Sequence, residues 1–266
     1  MQHTKLHAHT AGDGGPELVL IHGWALHSGV WNSLVAPLAQ HFRVTCVDLP
    51  GHGYSGETPM PTSLAQVAHL VREAVPARAV WLGWSLGGLV CLRAALDFPM
   101  QLRALILVSS TPRFVTAADW PHAVPPVQLR QFARELRRDY RHMLQRFLAL
   151  QVRGDAAARA TLRTLRATLL ARGEPQLASL TAGLEILRNS DMRAELGCIR
   201  LPTLVMTGEY DRLAPPQAAR ALTAAIRGAA WLGFARAAHA PFVSQPLEFI
   251  AALNHFMEKL PTLTST

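Results

Sequence analysis

Short runs of apolar residues recur along this chain, and longer segments with helical spacing lie between them. The apolar runs cover residues 18–21, 44–47, 79–82, 105–108 and 204–206 and are bounded by Gly, Pro, Asp or Ser. Runs of this length are typical of strands buried on both faces of a parallel sheet. Helical patterns cover residues 31–41, 64–75 and 87–98. The alternation predicts right-handed βαβ crossovers and therefore an α/β fold with a doubly wound, mostly parallel sheet.

One long segment interrupts this alternation. From about residue 112 to residue 196 the pattern contains no strand but several amphipathic helical stretches, which start after Pro125-Pro126. Ordinary connections between strands and helices are much shorter. We therefore expect a core formed by residues 1–111 and 197–266, with a helical cap inserted at 112–196. Such a cap would cover the carboxyl ends of the strands, where parallel sheets bind ligands; the alternative is a set of helices packed away from the site.

Composition limits the class of protein. Of the 266 residues 50% are hydrophobic and 17% are charged, which predicts one large domain and excludes extensive disorder. The apolar runs are far shorter than the roughly 20 residues of a membrane helix, and residues 1–10 lack the apolar region of a signal peptide. Cys46, Cys91 and Cys198 are odd in number and lie in apolar patterns, which favours buried free thiols over disulfides or a metal site. We expect a soluble, cytoplasmic monomer that binds neither membranes nor nucleic acid.

The net charge of +8 is concentrated in one stretch of the chain. Residues 130–172 hold eleven arginines against Glu135, Asp139 and Asp155, so this stretch carries the whole excess of positive charge. The arginines are Arg130, Arg134, Arg137, Arg138, Arg141, Arg146, Arg153, Arg159, Arg163, Arg166 and Arg172. A concentrated basic face indicates an acidic partner, and a solvated helical surface with no partner is the alternative.

A nucleophile motif follows the third apolar run. Gly83-Trp84-Ser85-Leu86-Gly87 lies between the predicted strand 79–82 and a predicted helix, which is the context of the G-x-S-x-G nucleophile elbow. The turn is so tight that its flanking positions need glycine, and it exposes the serine hydroxyl above the sheet. Ser85 is therefore the candidate nucleophile.

A serine hydroxyl needs a base and an orienting acid. His239 follows the strand-like run 229–232, and Asp211 follows the predicted strand 204–206, which gives the chain order Ser, Asp, His. Loops at the carboxyl ends of parallel strands meet at one edge of the sheet, so the three side chains are expected to converge. Glu209 is the competing acid.

The same reasoning predicts the groups that stabilise an oxyanion. One donor is the backbone N–H of Leu86, and the other is that of Trp24 in the loop His22-Gly23-Trp24. The Trp24 indole would then form a pocket wall, although a plain core role is the alternative. His3, His7 and His9 could mimic a metal cluster, but a mobile terminus or a surface strand is favoured. No metal or organic cofactor is expected.

Sequence blocks then point to a known family. The run from His22 through 48–53 to the elbow resembles the α/β-hydrolase superfamily. Five blocks also resemble the carboxylesterases of biotin synthesis that act on the methyl ester of pimeloyl-acyl-carrier protein. These blocks are HGW at 22–24, WLGWSLGGLV at 81–90, RFLALQ at 146–151, GLEIL at 183–187 and AAHAPF at 237–242.

The resemblance implies an α/β-hydrolase fold with a cap, hydrolysis of that ester to a carboxylate and methanol, and docking of an acidic acyl carrier protein on cap arginines. The implied substrate-channel residues are Trp24, Ser85, Leu86, Phe147, Leu148, Ala149, Leu150, Gln151 and His239. The implied carrier contacts are Arg146, Arg159 and Arg163. A fourth family arginine is His142 here, with Arg141 beside it, so the register of that contact stays open. The alternatives are a carrier-independent short-chain carboxylesterase or lipase, and a non-catalytic ligand-binding relative.

Overall fold

The computed structural model describes residues 5–261 and contains a seven-stranded sheet. The strands are β1 (Ala8–Ala11), β2 (Glu17–Ile21), β3 (Arg43–Val47), β4 (Ala79–Trp84), β5 (Leu102–Val108), β6 (Thr203–Gly208) and β7 (Ala230–Phe234). They lie in the order β1-β3-β2-β4-β5-β6-β7. β1 pairs antiparallel with β3, and every other pair is parallel. The doubly wound, mostly parallel α/β sheet is therefore confirmed.

Helices connect the strands. They are α1 (Asn32–Leu38), α2 (Leu64–Ala74), α3 (Leu86–Asp97), α4 (Pro126–Arg138), α5 (Tyr140–Gln151), α6 (Ala158–Leu170), α7 (Leu177–Asn189), α8 (Pro216–Ala225), α9 (Pro241–Ser244) and α10 (Pro246–Glu258). Short 3₁₀ helices cover Ser28–Trp31, Gly53–Ser55, Pro99–Gln101 and Arg193–Cys198. Across residues 5–261, none of the helices has both the length and the apolar character needed to cross a membrane.

The sheet explains why the strand predictions succeeded and why one strand was missed. β4 and β6 are buried at every position, and their apolar residues are consecutive for that reason. β1 lies at the edge of the sheet with its side chains half-buried or exposed, and it pairs with β3 through its backbone. Since it carries no apolar run, its strand character left no pattern in the sequence.

Packing on the sheet joins the first and last parts of the chain. α3 packs against β4, β5 and α2, whereas α8 packs against β6 and β7. Trp31, Trp84 and Phe242 form an aromatic cluster in the core, in which the Phe242 ring lies 4.3 Å from Trp31 and 5.1 Å from Trp84 between centroids. Because large aromatic side chains contribute the most buried area, this cluster fixes β4 against the segment that follows β7.

The cysteine expectation is correct for two of the three residues. Cys46 and Cys91 are buried, and all three thiols are free. Cys198 is exposed, contrary to the expectation, because it ends the surface 3₁₀ helix Arg193–Cys198.

Four helices, α4 to α7, lie between β5 and β6, in the segment where the pattern contained no strand. α4 starts with Pro126, whose missing N–H costs nothing in the first turn of a helix. α5 starts after Asp139, whose carboxylate accepts the N–H of His142 at 3.0 Å. α4 packs against α5 and α7, while α6 packs against α9 and the 3₁₀ helix Ser28–Trp31. The inserted helices therefore contact both one another and the core.

A buried ion pair ties the inserted helices to the loop after β3. The Arg172 guanidinium, which follows α6, donates to the two carboxylate oxygens of Asp48 at 3.1 and 2.8 Å. The same carboxylate accepts the N–H groups of Ser28 at 2.7 Å and Tyr54 at 2.8 Å. The Asp48 side chain is 0% exposed and that of Arg172 is 18% exposed. Arg172 therefore does not belong to a free basic surface, although its sequence position placed it among the eleven arginines.

Removing Arg172 should destabilise the protein strongly. In Arg172→Ala the Asp48 carboxylate stays buried without its cation, so we expect the free energy of unfolding to fall by about 3 kcal/mol. Urea unfolding followed by far-UV circular dichroism measures this loss. Arg188→Ala, which removes a partly exposed pair with Glu185, is the control and should cost clearly less. Equal losses in the two variants would contradict a special contribution from the buried pair.

Candidate active site

Ser85 occupies a strained turn between β4 and α3. Its backbone has φ +55° and ψ −114°, a region that non-glycine residues rarely adopt. Hydrogen bonds hold this conformation: the Ser85 N–H donates to the Val108 carbonyl at 2.9 Å, and the Ser85 carbonyl accepts from Ser110 Oγ at 2.8 Å. The surrounding backbone thus fixes the serine at the carboxyl end of β4.

The glycines of the elbow have a steric reason. A Cβ atom at Gly83 would overlap the backbone of Gly87, and one at Gly87 would overlap the carbonyl of Ile21 and lie 2.7 Å from that of His22. A side chain at Gly83 would therefore push β4 and α3 apart, and one at Gly87 would push the turn away from β2. This geometry agrees with the reason given for the G-x-S-x-G motif.

His239 and Asp211 form a buried pair. Nδ1 of His239 lies 2.9 Å from both carboxylate oxygens of Asp211. Asp211 Oδ1 also accepts the N–H groups of Leu213 and Ala214, both at 2.9 Å, which fixes the carboxylate in the loop after β6. Since a carboxylate only accepts, the Nδ1 atom of the neutral imidazole carries the proton and Nε2 is the acceptor.

Two hydrogen bonds fix the backbone of His239 beside the elbow. Its carbonyl accepts from Trp84 Nε1 at 2.8 Å, and its N–H donates to the Gln151 carbonyl at 3.0 Å. The rings of Trp84 and His239 lie 5.6 Å apart between centroids, and Trp84 directly precedes Ser85. Within residues 5–261, the buried Nε2 atom of His239 has no hydrogen-bond partner. The imidazole therefore offers an unpaired base beside the elbow that carries the serine.

Glu209, the competing acid, lies elsewhere. It is exposed, and its carboxylate accepts the N–H of Arg236 at 2.9 Å. Its position favours Asp211 as the orienting acid of His239.

Two backbone donors lie near Ser85. A Cβ atom at Gly23 would lie 3.2 Å from Ser85 Cβ, so the loop that carries Trp24 packs directly against the elbow. The N–H of Leu86 is the first of α3 and has no acceptor within its helix. In the part of the chain that the structure describes, neither the Trp24 nor the Leu86 backbone N–H donates to a carbonyl or a side chain. Both N–H groups are therefore available to an oxyanion. The positive end of the α3 dipole strengthens the interaction of the Leu86 N–H with that negative charge.

A narrow apolar cavity of about 20 Å³ opens at Ser85. The residues around it are Trp24, Ser85, Phe114, Val124, Leu129, Phe132, Phe147, Leu184, Leu187 and Leu213. The Trp24 indole donates to the Leu180 carbonyl at 2.9 Å and packs edge-on against Phe147, with 4.9 Å between centroids. Trp24 therefore joins the sheet to α5 and α7 and forms a wall of the cavity, in agreement with the pocket-wall hypothesis.

The five residues 147–151 differ in burial and in whether they line the cavity. Phe147 lines the cavity, and Leu148 is buried beside it in α5. Ala149 is exposed and Leu150 is half-buried. Gln151 is buried, and its carbonyl holds the N–H of His239. The helical period explains this division, because one α-helix cannot turn five consecutive side chains toward one cavity.

Three buried histidines near the site were not singled out in the sequence. Nδ1 of His22 donates to the Gly23 carbonyl at 2.8 Å, and its Nε2 accepts the N–H of Leu49 at 2.8 Å. Burial, with a further contribution from His52, lowers the pKa of His22 to about 3. Burial also lowers the pKa values of His27 and His52. The neutral imidazoles thus hold together the loops that follow β2 and β3. His22 and His52 lie in the sequence blocks at 22–24 and 48–53, but nothing in those blocks indicated a buried neutral imidazole.

The candidate carrier contacts differ in their partners. Arg146 pairs with Glu135 at 2.7 Å, and Arg141 pairs with Glu174. Arg159 and Arg163 are exposed on α6, and no carboxylate of residues 5–261 lies within 4 Å of them. The same holds for Arg153, before α6, and for Arg166, one turn after Arg163. Among the described residues, α6 therefore carries unpaired positive charge on its exposed face, while its opposite face is buried through Thr161, Leu165, Thr168 and Leu169. The exposed arginines of α4, at 130, 134, 137 and 138, likewise have no carboxylate of residues 5–261 within 4 Å.

Of the N-terminal histidines, the structure describes His7 and His9, and these two belong to no group of potential metal ligands among the described residues. His9 lies in β1, and the backbone N–H of His7 donates to Ser55 Oγ at 2.8 Å. His3 lies outside the described residues. Among residues 5–261, no group of three or more His, Cys, Asp or Glu side chains could hold a metal ion.

Comparisons with known proteins agree with this geometry. A family model described as the alpha/beta hydrolase fold matches residues 16–246. A protein from Stenotrophomonas maltophilia (strain K279a), named pimeloyl-[acyl-carrier protein] methyl ester esterase, is 48% identical over 246 residues, which cover 92% of this chain and 94% of that protein. A protein of the same name from Xylella fastidiosa (strain M23) is 47% identical over 249 residues, covering 93% and 97%. A solved hydrolase structure from Pseudomonas aeruginosa PA01 matches with a TM-score of 0.81 at 27% identity, covering 95% and 94% of the two chains.

The buried histidines predict that mild acid destabilises the protein. The pKa of His22 is about 3 in the folded chain, whereas an unfolded histidine titrates near its usual value of about 6.5. Below that pH the unfolded chain binds protons that the folded chain does not, so stability is complete above about pH 6.5 and is lost toward pH 3. Each such histidine contributes up to about 1.4 kcal/mol per pH unit within this range.

Urea unfolding at several pH values between about 7 and 5 measures the slope. His52→Gln keeps a donor for the Pro50 carbonyl, which His52 Nδ1 binds at 2.8 Å, and it removes one titrating group. The slope should therefore decrease in this variant. An unchanged slope would show that His52 does not contribute.

Proposed function

This chain belongs to the α/β-hydrolase family, and we propose that it acts there as the serine carboxylesterase that removes the methyl ester from pimeloyl-acyl-carrier protein. The products are pimeloyl-acyl-carrier protein and methanol, and the proposed role is in biotin biosynthesis. The observation that carries the proposal is the buried His239–Asp211 pair, with an unpaired imidazole nitrogen, beside Ser85 in the elbow. The names of the relatives at 47–48% identity support the substrate.

The proposed reaction begins with attack on the ester. Ser85 Oγ adds to the carbonyl carbon while His239 Nε2 takes the hydroxyl proton. Asp211 holds the imidazole in the required tautomer and stabilises its charged form. The backbone N–H groups of Leu86 and Trp24 bind the oxyanion of the tetrahedral intermediate. The intermediate collapses when His239 returns the proton to the methoxy oxygen, and methanol leaves.

The second half of the reaction repeats these roles with water. The acyl group is now an ester of Ser85, and His239 removes a proton from an incoming water molecule. The resulting tetrahedral intermediate expels Ser85 Oγ, which recovers its proton from His239. The carrier stays attached to the far end of the acyl chain, and the new end is a carboxylate.

The lining of the cavity suits the substrate better than the product. Apart from Ser85, its described lining residues are apolar, and none is a lysine or an arginine. A neutral methyl ester can enter such a site, whereas a carboxylate would lose hydration without gaining a cation. This difference favours release of the product once the ester is cleaved.

In this proposal the inserted helices form a cap over the core. Residues 112–196 cover the core formed by residues 1–111 and 197–266, of which 1–4 and 262–266 lie outside the described residues. Phe147 and the other proposed channel residues of the string, 148–151, belong to this cap. The hydrogen bond from the Trp24 indole to the Leu180 carbonyl in α7 joins this cap to the cavity wall that Trp24 forms. The cytoplasmic location, the monomeric state and the lack of nucleic-acid or membrane binding stay predictions from the sequence.

The proposed docking surface for the acidic carrier is centred on α6. Arg159 and Arg163 are exposed and free of carboxylates of the described chain, so their charges can attract an acidic partner. Arg146 is the third proposed contact and already pairs with Glu135. Its contribution would require exchange of that partner, so we expect it to matter less than the two α6 arginines.

Ser85→Ala should abolish hydrolysis and preserve the fold. We expect kcat on p-nitrophenyl butyrate to fall by roughly 10⁴-fold or more, because the nucleophile is lost, with the melting temperature changed by only a few degrees. A steady-state assay and labelling with a fluorophosphonate probe measure the loss. Ser63→Ala, at the start of α2, is the control and should retain activity. Turnover in Ser85→Ala would contradict the nucleophile assignment.

Charge reversal on α6 should separate the two substrate classes. In the Arg159→Glu, Arg163→Glu double variant, we expect kcat/KM on the carrier-linked methyl ester to fall by roughly 10-fold or more at low salt, and less at high salt. Activity on p-nitrophenyl butyrate should be unchanged, since that ester has no carrier. Initial rates on both substrates at two salt concentrations measure the effect.

A matched control makes the same charge change at the amino ends of the strands, opposite the carboxyl ends where Ser85 lies. Arg78 precedes β4 and Arg227 precedes β7, so Arg78→Glu, Arg227→Glu should leave both substrates unaffected. An equal loss on the carrier-linked ester in both double variants would point to net charge alone. An equal loss on both substrates in the α6 variant would point to a structural role for Arg159 and Arg163.

A further inference from the structure

The loop that carries His239 is held by the segment between α5 and α6. Three hydrogen bonds join the two. The N–H of His239 donates to the Gln151 carbonyl at 3.0 Å, and the N–H of Ala156 donates to the Arg236 carbonyl at 2.9 Å. The third bond runs from the N–H of Ala238 to Asp155 Oδ2 at 3.1 Å. The position of the histidine loop therefore depends on a segment of the inserted region that lies 80 or more residues away in the chain. The bond from Ala238 to Asp155 spans 83 residues.

Asp155 supplies the one side chain among these three contacts. It is 7% exposed, and its second oxygen, Oδ1, accepts the N–H of Ala157 at 2.7 Å, immediately before α6. Within residues 5–261, no arginine, lysine or histidine lies within 4 Å of this carboxylate. Its charge is thus balanced by backbone donors, together with the positive end of the α6 dipole.

The arrangement requires two acceptors on one short side chain. Both partners of Asp155 are N–H groups, one in the histidine loop and one at the start of α6. An asparagine has a single acceptor oxygen, and its NH₂ group would face the other N–H. A buried N–H without an acceptor is costly, so the loop, the helix or both would shift. The carboxylate is therefore suited to holding two backbone segments at a fixed separation.

The bond to Ala238 acts on the peptide group between Ala237 and Ala238, one before the peptide group that enters the candidate base. The carbonyl of the same peptide group accepts the N–H of Tyr210 at 2.9 Å, and the next peptide group is held through the N–H of His239, which donates to the Gln151 carbonyl. Beyond the base, the Trp84 indole donates to the His239 carbonyl at 2.8 Å. Rotation of the 237–238 peptide group would change the course of the backbone into His239 and with it the direction of its side chain. Asp155 therefore acts on the direction of the imidazole, and not only on the existence of the loop.

We infer that Asp155 is a positioning residue, which orients His239 toward Ser85 and links that orientation to α6, the helix that carries Arg159 and Arg163. The inference rests on the proposed function, because it assigns Asp155 an effect on the base of that reaction. Asp155 contacts neither Ser85 nor the cavity lining. Its effect is expected in the chemical step, since small displacements of a catalytic base reduce the rate steeply.

The test compares Asp155→Asn with Asp139→Asn. Asp139 also begins an inserted helix by accepting a backbone N–H, at 3.0 Å from His142, but it has no contact with the histidine loop. On p-nitrophenyl butyrate we expect Asp155→Asn to lower kcat roughly 10- to 100-fold with KM within about twofold of the original. Labelling of Ser85 by a fluorophosphonate probe should slow in parallel. Asp139→Asn should change neither quantity.

Several results would overturn the inference. One is a kcat for Asp155→Asn within twofold of that for Asp139→Asn, even if its melting temperature falls, because the role would then be structural. Another is a change confined to KM for the carrier-linked ester, which would indicate docking. If Asp155→Asn does not fold, Asp155→Ser, which retains one acceptor, is measured against the same criteria.

The same assays separate this inference from the proposed function. If the unmodified protein neither hydrolyses the ester nor labels at Ser85, the proposed function fails. If it does both and Asp155→Asn behaves like the control variant, the function stands and only the positioning role fails. Loss of kcat and of labelling in Asp155→Asn alone supports both.

Discussion

The turn at Ser85 is the constraint on which the rest of the site depends. A non-glycine residue at φ +55° persists only where its surroundings over-determine the backbone. β5 supplies that support through Val108 and Ser110, while the close approach of β2 leaves no room for a side chain at Gly87. Because the turn is locked against β2 and β5, the loops after those strands are fixed relative to the serine. The positions of Trp24 and of the first N–H of α3 follow from this one turn.

Apolar packing joins the inserted helices to the core, and polar contacts at the rim of the site add to it. Arg172 binds the buried Asp48, the Trp24 indole binds the Leu180 carbonyl, and Asp155 binds the loop before His239. Such contacts have strict geometry, since a displaced donor or acceptor in a buried position is left without a partner. Apolar packing alone would tolerate sliding of the helices over the sheet. The polar contacts therefore fix the position of the inserted helices relative to the loops around Ser85.

Much of the fold and part of the site could be predicted from the sequence, for identifiable reasons. Strands such as β4 are buried on both faces and leave an apolar run, and the elbow leaves glycines at fixed positions. The edge strand β1 leaves neither. The partners of Arg172, Arg146 and Asp155 also stayed hidden, because a pair such as Arg172–Asp48, 124 residues apart, has no local signature. Sequence could count the arginines, but only the fold separates those that are neutralised within the chain from those that are free.

The difference between paired and unpaired arginines determines which charges can attract a partner. An arginine beside a carboxylate contributes little to the field that a distant partner experiences, whereas the unpaired α6 arginines contribute fully within a Debye length, about 8 Å at physiological salt. The cavity at Ser85, in contrast, has no lysine or arginine among the lining residues that the structure describes. In the proposed function, attraction of the acidic carrier is placed on the exposed face of α6, away from the reacting end of the substrate. A cation inside the cavity would bind the carboxylate product more strongly than the neutral ester and would oppose turnover, so the two functions have to be kept apart in space.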